Sequence, residues 1–250
     1  MSRAARLVGI ARSLAMYYAI PLRARRLARF YSEFVTAGAL CFDIGAHAGN
    51  RVRCWRRLGA RVVAVEPQRD FIRLLQLLYG RDDQVTLVAA AVGRAAGTAT
   101  LLVSERTPTV TTLSTDWADT VKSAPGFRRV DWPGREQVEL TTLQALIERH
   151  GSPQFVKIDV EGYEAEVLAG LASAVPSLSF EYLPAARAVA LDCVERLTEL
   201  GRFRYNWSQG ESHRLVAREW LDTAGIRNFI ATLPSHAGSG DIYARLQIPS

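Results

Sequence analysis

One short segment of the sequence joins an acid, a glycine turn and a helix start. In residues 41–50, CFDIGAHAGN, an apolar strand ends at Asp43, Gly45 permits a tight turn, and a helix begins about four residues later. Unpaired N–H groups at such a helix start attract polar ligands, so the segment predicts a nucleotide-type site. The dinucleotide spacing G-x-G-x-x-G is absent, because His47 and Asn50 stand where it needs glycine. A glycine turn made only for packing is the alternative.

A second acid follows the next apolar run. Residues 62–65, VVAV, lead into Glu66 and Pro67, and Glu66 lies 17 residues after Gly49. A carboxylate at about this distance accepts hydrogen bonds from a ribose diol in nucleotide-binding α/β folds. An exposed acid at a strand end is the alternative. The two segments together favour a nucleotide-type ligand.

A third segment concentrates charge beside an apolar strand. In residues 155–164, FVKIDVEGYE, Lys157, Asp159 and Glu161 stand where a buried strand opens into a helix. Burying such groups is unfavourable unless they are paired or used in chemistry. Alternatively, Asp159 or Glu161 caps the following helix and complements its dipole. The residues alone favour neither interpretation.

Short apolar runs alternate with helical stretches from residue 39 onward. This alternation is typical of an α/β fold with a mostly parallel sheet, whose ligand crevice lies at the carboxyl ends of the strands. The expected strands are 40–44, 61–65, 85–92, 98–103, 155–159, 178–182, 203–207 and 242–246, and the expected helices are 49–58, 71–79, 142–149, 163–171 and 185–200. Residues 104–135 break the alternation, and we expect there a loop insertion that covers or binds an acceptor.

The composition is that of one packed soluble domain. The chain has 250 residues, 48% of them hydrophobic, and charged residues interrupt every apolar run before the roughly 20 residues that a membrane-spanning helix needs. The three cysteines show no C-x-x-C spacing, so the sequence predicts neither a disulfide framework nor a zinc site. A reducing, cytoplasmic location fits this cysteine usage.

Positive charge is concentrated in residues 1–36. This segment carries seven arginines against one acid, whereas residues 37–250 carry 24 basic and 24 acidic side chains. The domain expected over 37–250 is therefore not typical of a nucleic-acid-binding protein. Apolar stripes in the basic segment predict amphipathic helices over 3–20 and 21–34. Two roles stay open for it: packing on the sheet beside the ligand site, or peripheral contact with an anionic membrane surface.

The stretch from residue 39 to residue 181 resembles the FkbM-type methyltransferases, a branch of the class I S-adenosylmethionine-dependent enzymes. The matching segments are DIGAHAGN at 43–50, EP at 66–67, AAVG at 90–93, KIDVEGYE at 157–164 and VLAG at 167–170. The resemblance implies a Rossmann-like, seven-stranded, mostly parallel sheet with helices on both faces and with S-adenosyl-L-methionine over the first strands. The residues that it assigns to the cofactor are Asp43, Gly45, Ala46, His47, Gly49, Asn50, Glu66, Pro67, Ala91 and Val92.

The resemblance also implies roles for these residues. Asp43, Gly45 and Gly49 would line the methionine half of the cofactor, Glu66 would hold the ribose, and residues 91–93 would lie near the adenine. The implied acceptor is a small molecule or glycan, with the methyl group going to a hydroxyl of a carbohydrate, a lipid or a secondary metabolite.

A hydroxyl acceptor must lose its proton, which a carboxylate or an imidazole can remove. Asp159 and Glu161 end the strand expected to face the methyl group, so one of them is the base candidate, and His47 is the runner-up. We expect no metal ion, because the acids do not form a ligand cluster in the sequence. Two other functions stay open: a nicotinamide-dependent oxidoreductase, which the glycine spacing disfavours, and a non-catalytic nucleotide-binding or scaffold protein on the same fold.

Overall fold

The computed structural model describes residues 8–9, 11–14, 21–124 and 126–247 of the chain. The first expected helix, 3–20, is helical where it is described, and its other positions lie outside the described residues. Within the described ranges, every helix is too short or too polar to cross a membrane.

The main sheet has seven strands, and six of them point in the same direction. In chain order the strands of the protein are β1 (Leu40–Ile44), β2 (Arg61–Val65), β3 (Val85–Val88), β4 (Ala91–Val92), β5 (Gly97–Val103), β6 (Gly134–Thr141), β7 (Phe155–Ile158), β8 (Ser177–Tyr182), β9 (Phe203–Gln209) and β10 (Gly240–Leu246). The main sheet has the order β3-β2-β1-β7-β8-β10-β9, in which β10 is antiparallel to both of its neighbours. The seven-stranded, mostly parallel α/β fold expected from the sequence is confirmed.

Helices cover both faces of this sheet. They are α1 (Pro21–Tyr31), α2 (Asn50–Arg57), α3 (Arg69–Tyr79), α4 (Thr115–Val121), α5 (Leu143–His150), α6 (Glu164–Ala169), α7 (Arg187–Leu200) and α8 (Thr223–Thr232). One apolar cluster joins α1, α2 and α3 to one face of the strands, and another joins α5 to α8 to the opposite face. Because β1, β2 and β7 are buried on both faces, their sequences are mostly apolar, and each contains one charged residue: Asp43, Arg61 and Lys157 respectively.

Three sequence-based assignments need correction. The expected strand 85–92 is divided, because residues 85–88 pair with β2 whereas residues 91–92 pair with β6 in a second sheet of order β4-β6-β5. Residues 104–135 are not one irregular loop, since they contain α4 and the start of β6. Helix α8 was missed, although Asp222 caps it by accepting a hydrogen bond from Gly225 N at 2.8 Å.

Helix α1 and the residues that follow it, which belong to the basic segment 1–36, pack into the core. Leu27, Phe30, Tyr31, Phe34 and Val35 are buried together in the cluster that also holds aromatic side chains of α2, β7 and β10. The guanidinium of a β10 arginine lies 4.5 Å from the centre of the Phe34 ring, a favourable cation–π distance. These residues therefore contribute to folding, whereas Arg25, Arg26 and Arg29 of α1 are exposed.

We expect Phe34→Ala to destabilise the whole domain. Replacing a buried phenylalanine by alanine removes apolar contacts and leaves a cavity, which lowers the free energy of unfolding by about 3–5 kcal/mol. Urea titration followed by circular dichroism measures the change. Arg26→Ala, on the exposed side of α1, is the matched control and should change stability by less than about 0.5 kcal/mol. A loss below about 1 kcal/mol for Phe34→Ala would contradict the packing role of this segment.

Candidate active site

A cavity lies where the carboxyl ends of β1, β2, β7 and β8 meet. Its volume is about 1020 Å³ when the adjoining space that is open to solvent is included. The strand order reverses between β1 and β7, and ligands of open α/β sheets bind at such a point. Ten of the residues selected from the sequence line it: Asp43, Gly45, His47, Asn50, Glu66, Pro67, Ala91, Val92, Asp159 and Glu161.

Ala46 and Gly49, which were also expected at the cofactor, are not among the residues that line the cavity. Ala46 is buried in the core cluster beneath α2. Gly49 has a left-handed backbone, with φ of 77°, and a Cβ there would come within 2.8 Å of the side chains of Leu75 and Tyr79. The structure therefore places Gly49 where it lets α2 pack on α3.

Gly45 is required by a close approach between two turns. Its φ is 86°, and a Cβ on it would overlap the carbonyl oxygen of Asp159. The N–H of Asp159 in turn donates to the carbonyl of Ile44 at 2.9 Å. The turn after β1 and the turn after β7 are thus in direct backbone contact, which brings Asp43 and Asp159 into the same cavity.

Two carboxyl groups are buried at the inner wall of the cavity. Burial raises the pKa of Asp43 to about 7, although Arg51 and Lys157 lower it. Its Oδ2 has no hydrogen-bond partner. Burial also raises the pKa of Glu66 to about 7, although its Oε2 accepts the N–H of His47 and its Oε1 that of Gln68, both at 2.8 Å. Both carboxyls are poised to become ionised when a cation approaches.

The position of His47 is unfavourable for a base. Its ring lies against Phe71, with the ring centres 3.9 Å apart. Burial lowers the pKa of His47 to about 4, although Asp159 raises it. An imidazole with so low a pKa is a weak base and therefore a poor acceptor for the proton of a hydroxyl.

The turn after β7 is held by three neighbouring side chains. Glu164 Oε1 accepts the N–H groups of Val160 at 3.1 Å and Gly162 at 3.3 Å. The Thr112 hydroxyl donates to the carbonyl of Glu161 at 2.6 Å, and the Trp117 ring occupies the space where a side chain at position 162 would lie. The carboxylate that supports this turn is therefore that of Glu164. The alternative in which Asp159 or Glu161 caps the next helix has no such contact within the described residues.

Three carboxyl groups converge at the end of the cavity nearest β7 and β8. Oxygen atoms of Asp159, Glu161 and Glu181 lie within 4.8 Å of one another. Burial, followed by the neighbouring acids, raises the pKa values of Glu161 and Glu181 well above their usual range. The premise that the acids do not cluster is therefore wrong. Carboxyl clusters also occur without a cation, so the absence of a metal stays a prediction.

Two buried cationic side chains, Lys157 and Arg51, offset part of the negative charge of these acids. Lys157 Nζ lies 3.1 Å from Asp159 Oδ2 and 2.9 Å from Asp241 Oδ1. Burial alone would lower the pKa of Lys157, but the two carboxylates raise it above its usual value. Arg51 Nε donates to the Tyr31 hydroxyl at 3.2 Å, and this contact connects α1 to the cavity.

Several lining residues escaped the sequence analysis. Glu181 lies in a strand that was assigned from its apolar neighbours, and Arg51 lies in a helix whose pattern suggests only amphipathic packing. Residues 108–113 were included only as part of the expected loop. The lining residues in question are Arg51, Gln68, Pro108, Thr109, Thr111, Thr112, Leu113, Tyr163, Glu181 and Glu211. These residues lie far apart in the sequence and meet at the cavity only in the folded sheet, so residue patterns within one segment do not identify them.

The family model described as "Methyltransferase FkbM domain" matches residues 43–206 of the chain. The comparison with curated proteins finds no match.

Solved methyltransferase structures resemble the chain at low sequence identity. An O-methyltransferase from Bacillus cereus in complex with SAH aligns with 98% of this chain and 89% of its own, at 12% identity and a TM-score of 0.47. A precorrin-6y C5,15-methyltransferase from Geobacter metallireducens aligns with 89% and 87%, at 14% identity and 0.41. An rRNA methylase from Streptococcus thermophilus aligns with 88% and 94%, at 10% identity and 0.43. At such identities these likenesses say nothing about the acceptor.

The burial of Glu164 predicts a pH-dependent effect on stability. Burial raises the pKa of Glu164 to about 7, although its backbone hydrogen bonds lower it. The stabilising contribution of an acid with a raised pKa is fully present below about pH 4.5 and is lost as the pH rises through about 7. We therefore expect the stability of the parent protein, relative to Glu164→Gln, to fall over this range by about 1.4 kcal/mol per unit of raised pKa.

Urea titrations of both proteins at several pH values measure this difference. Glu139→Gln, which changes an exposed glutamate on β6, is the control and should show a nearly constant difference from the parent. A constant difference for Glu164→Gln between pH 4.5 and 8 would contradict the burial argument.

Proposed function

The chain belongs to the FkbM methyltransferase family, and we propose that it transfers the methyl group of S-adenosyl-L-methionine to a hydroxyl group of a carbohydrate, a lipid or a secondary metabolite. The acidic character of the cavity carries this proposal. Six carboxyl side chains line it against one guanidinium, that of Arg51: Asp43, Glu66, Asp159, Glu161, Glu181 and Glu211. Such a cavity suits a positively charged ligand with polar hydroxyl and amino groups.

The lining residues fit the cofactor that the family uses. The unpartnered Oδ2 of Asp43 and the bare backbone at Gly45 would receive the methionine half. Glu66 would accept the ribose hydroxyls, since each of its oxygens keeps a lone pair beside the backbone bond it already accepts. Ala91, Val92 and Leu101 supply an apolar wall for the adenine. When bound, the cofactor would supply a methyl group on a positively charged sulfur.

The acid cluster would serve the acceptor. The cofactor would supply the methyl group to the acceptor oxygen and would keep the electron pair of the broken carbon–sulfur bond. The hydroxyl proton would pass to an ionised carboxylate, and Glu161 is the candidate because it lines the cavity beside Glu181. Burial and its acidic neighbours raise the pKa of Glu161, which makes its ionised form a stronger proton acceptor. Asp159 is less suited, since its Oδ2 is already in contact with Lys157. Holding the acceptor at attack distance contributes the remaining acceleration.

We expect S-adenosylmethionine to raise the melting temperature of the protein and NADH to leave it unchanged. Ligand at about 100 times its dissociation constant adds roughly 2.7 kcal/mol of stability. Glu66→Ala should then weaken cofactor binding about tenfold to a hundredfold, because a charged hydrogen bond contributes about 1.5–3 kcal/mol. Differential scanning fluorimetry and calorimetric titration supply the two measurements.

Glu166→Ala is the matched control for this experiment. Glu166 is partly exposed and pairs with Arg94, outside the cavity, so its replacement should leave cofactor affinity unchanged. An unaltered melting curve with saturating cofactor, in protein freed of copurified ligand, would refute the proposed function. Parental affinity in Glu66→Ala would refute the ribose assignment alone.

We expect Glu161→Gln to lower turnover about 10²-fold or more with little change in cofactor affinity. Glutamine keeps the size of the side chain but cannot accept a proton. Transfer of a labelled methyl group to a metabolite extract measures turnover without a known acceptor. Glu148→Gln, on the surface of α5, should retain the parental rate. If Glu161→Gln and Asp159→Asn both transfer methyl groups at that rate, proton removal by this turn is excluded.

A further inference from the structure

A groove lined with arginines lies beside α1. Arg25, Arg26 and Arg29 project from this helix, and Arg214 faces them from the segment after β9. The groove is completed by Phe30, Glu33, His213 and Leu215. Four guanidinium groups and one carboxylate thus line the same depression, and all four arginines come from segments outside the acidic cavity.

Within the described residues, Glu33 supplies the one carboxylate of this groove against four guanidinium groups. None of the four arginines forms an ion pair with a carboxylate in the described part of the chain. The side chains of Arg25 and Arg29, and those of Arg26 and Arg29, are neighbours on the helix surface, where like charges destabilise a helix. A negatively charged ligand would relieve this repulsion.

The arginine groove adjoins the mouth of the acidic cavity. Glu211 lines the cavity, and its Oε2 lies 3.2 Å from Nε2 of His213, which lines the groove. The other oxygen of Glu211 lies 3.7 Å from Nη2 of Arg51, inside the cavity. One short segment, residues 211–214, therefore contributes to both sites, which makes them neighbours.

We propose that the arginine groove binds a phosphate or diphosphate group carried by the methyl acceptor, an inference that rests on the proposed function. Phosphate offers three acceptor oxygens and up to two negative charges, which suit several guanidinium groups at once. The hydroxyl end of the same molecule would extend past Glu211 to the acid cluster. The phosphate belongs either to a soluble phosphorylated acceptor or to a lipid headgroup, and the chemistry of the groove is the same for both.

The test uses the full chain and inorganic pyrophosphate as the probe. Calorimetric titration at about 0.01 M and 0.15 M ionic strength should show binding that weakens with salt, since the Debye length falls from about 30 Å to 8 Å. The double variant Arg25→Gln/Arg29→Gln should bind at least about tenfold more weakly. Arg149→Gln/Arg202→Gln removes two exposed arginines outside the groove and should bind as the parent does.

Flotation with vesicles distinguishes the two sources of phosphate. Binding to phosphatidylglycerol vesicles but not to pure phosphatidylcholine vesicles, lost in Arg25→Gln/Arg29→Gln, supports the groove with a lipid source. Pyrophosphate binding without vesicle binding supports it with a soluble source. Equal affinity in both double variants, or no binding of either probe, overturns the proposal. The melting shift with S-adenosylmethionine, measured on the same samples, reports separately on the proposed function.

Discussion

The buried ammonium of Lys157 is the interaction on which the site depends. It reaches across β8, where the register places the small Ser179 between Lys157 and Tyr243, and it contacts both Asp159 and Asp241. An uncompensated charge in such a position is strongly unfavourable, and removing one partner of a buried pair typically destabilises a protein by about 3–5 kcal/mol. The lysine therefore fixes the acid that ends β7 relative to the antiparallel strand β10, and the cavity lies in front of this pair.

Contacts between turns position the residues that follow β7 in the cavity. Gly45 lets the turn after β1 touch the backbone of Asp159, and Glu164, Thr112 and Trp117 hold the next three residues. Within this turn Glu161 has a φ of 55°, a left-handed conformation that is unfavourable for a residue with a side chain. The surrounding contacts offset this strain, and the result is that the Glu161 carboxyl faces Glu181 and the cavity. The same contacts explain why α4, far away in sequence, belongs to the site.

Patterns of apolar residues along the chain predicted the elements whose position depends on burial alone. Strands β1 and β2 were predicted at their observed bounds, because strands buried on both faces are mostly apolar and each of these has four apolar residues out of five. Strand β6, GREQVELT, was missed because most of its residues are polar and only two of the eight are buried. Glu181 and the Lys157–Asp241 pair were missed for another reason: they depend on which strands are neighbours, and residue spacing along the chain carries no information about that. Glu161 was selected from the sequence and lines the cavity, but its neighbour Glu181 could be identified only from the sheet order.

The acidic cavity and the arginine groove, which lie on the two sides of Glu211, would orient the acceptor in the proposed reaction. The acidic cavity attracts a cationic donor and repels an anionic group, whereas the arginine groove does the reverse. An acceptor that carries phosphate would therefore be oriented before it makes any specific contact, because its neutral hydroxyl end would enter the cavity more easily than its anionic end. A methyl transfer would remove the positive charge from the donor. The Asp43 carboxyl, whose raised pKa reflects unfavourable ionisation without a nearby cation, would then lose the charge that stabilised its ionised form. The electrostatics of the cavity would thus favour the donor over its product.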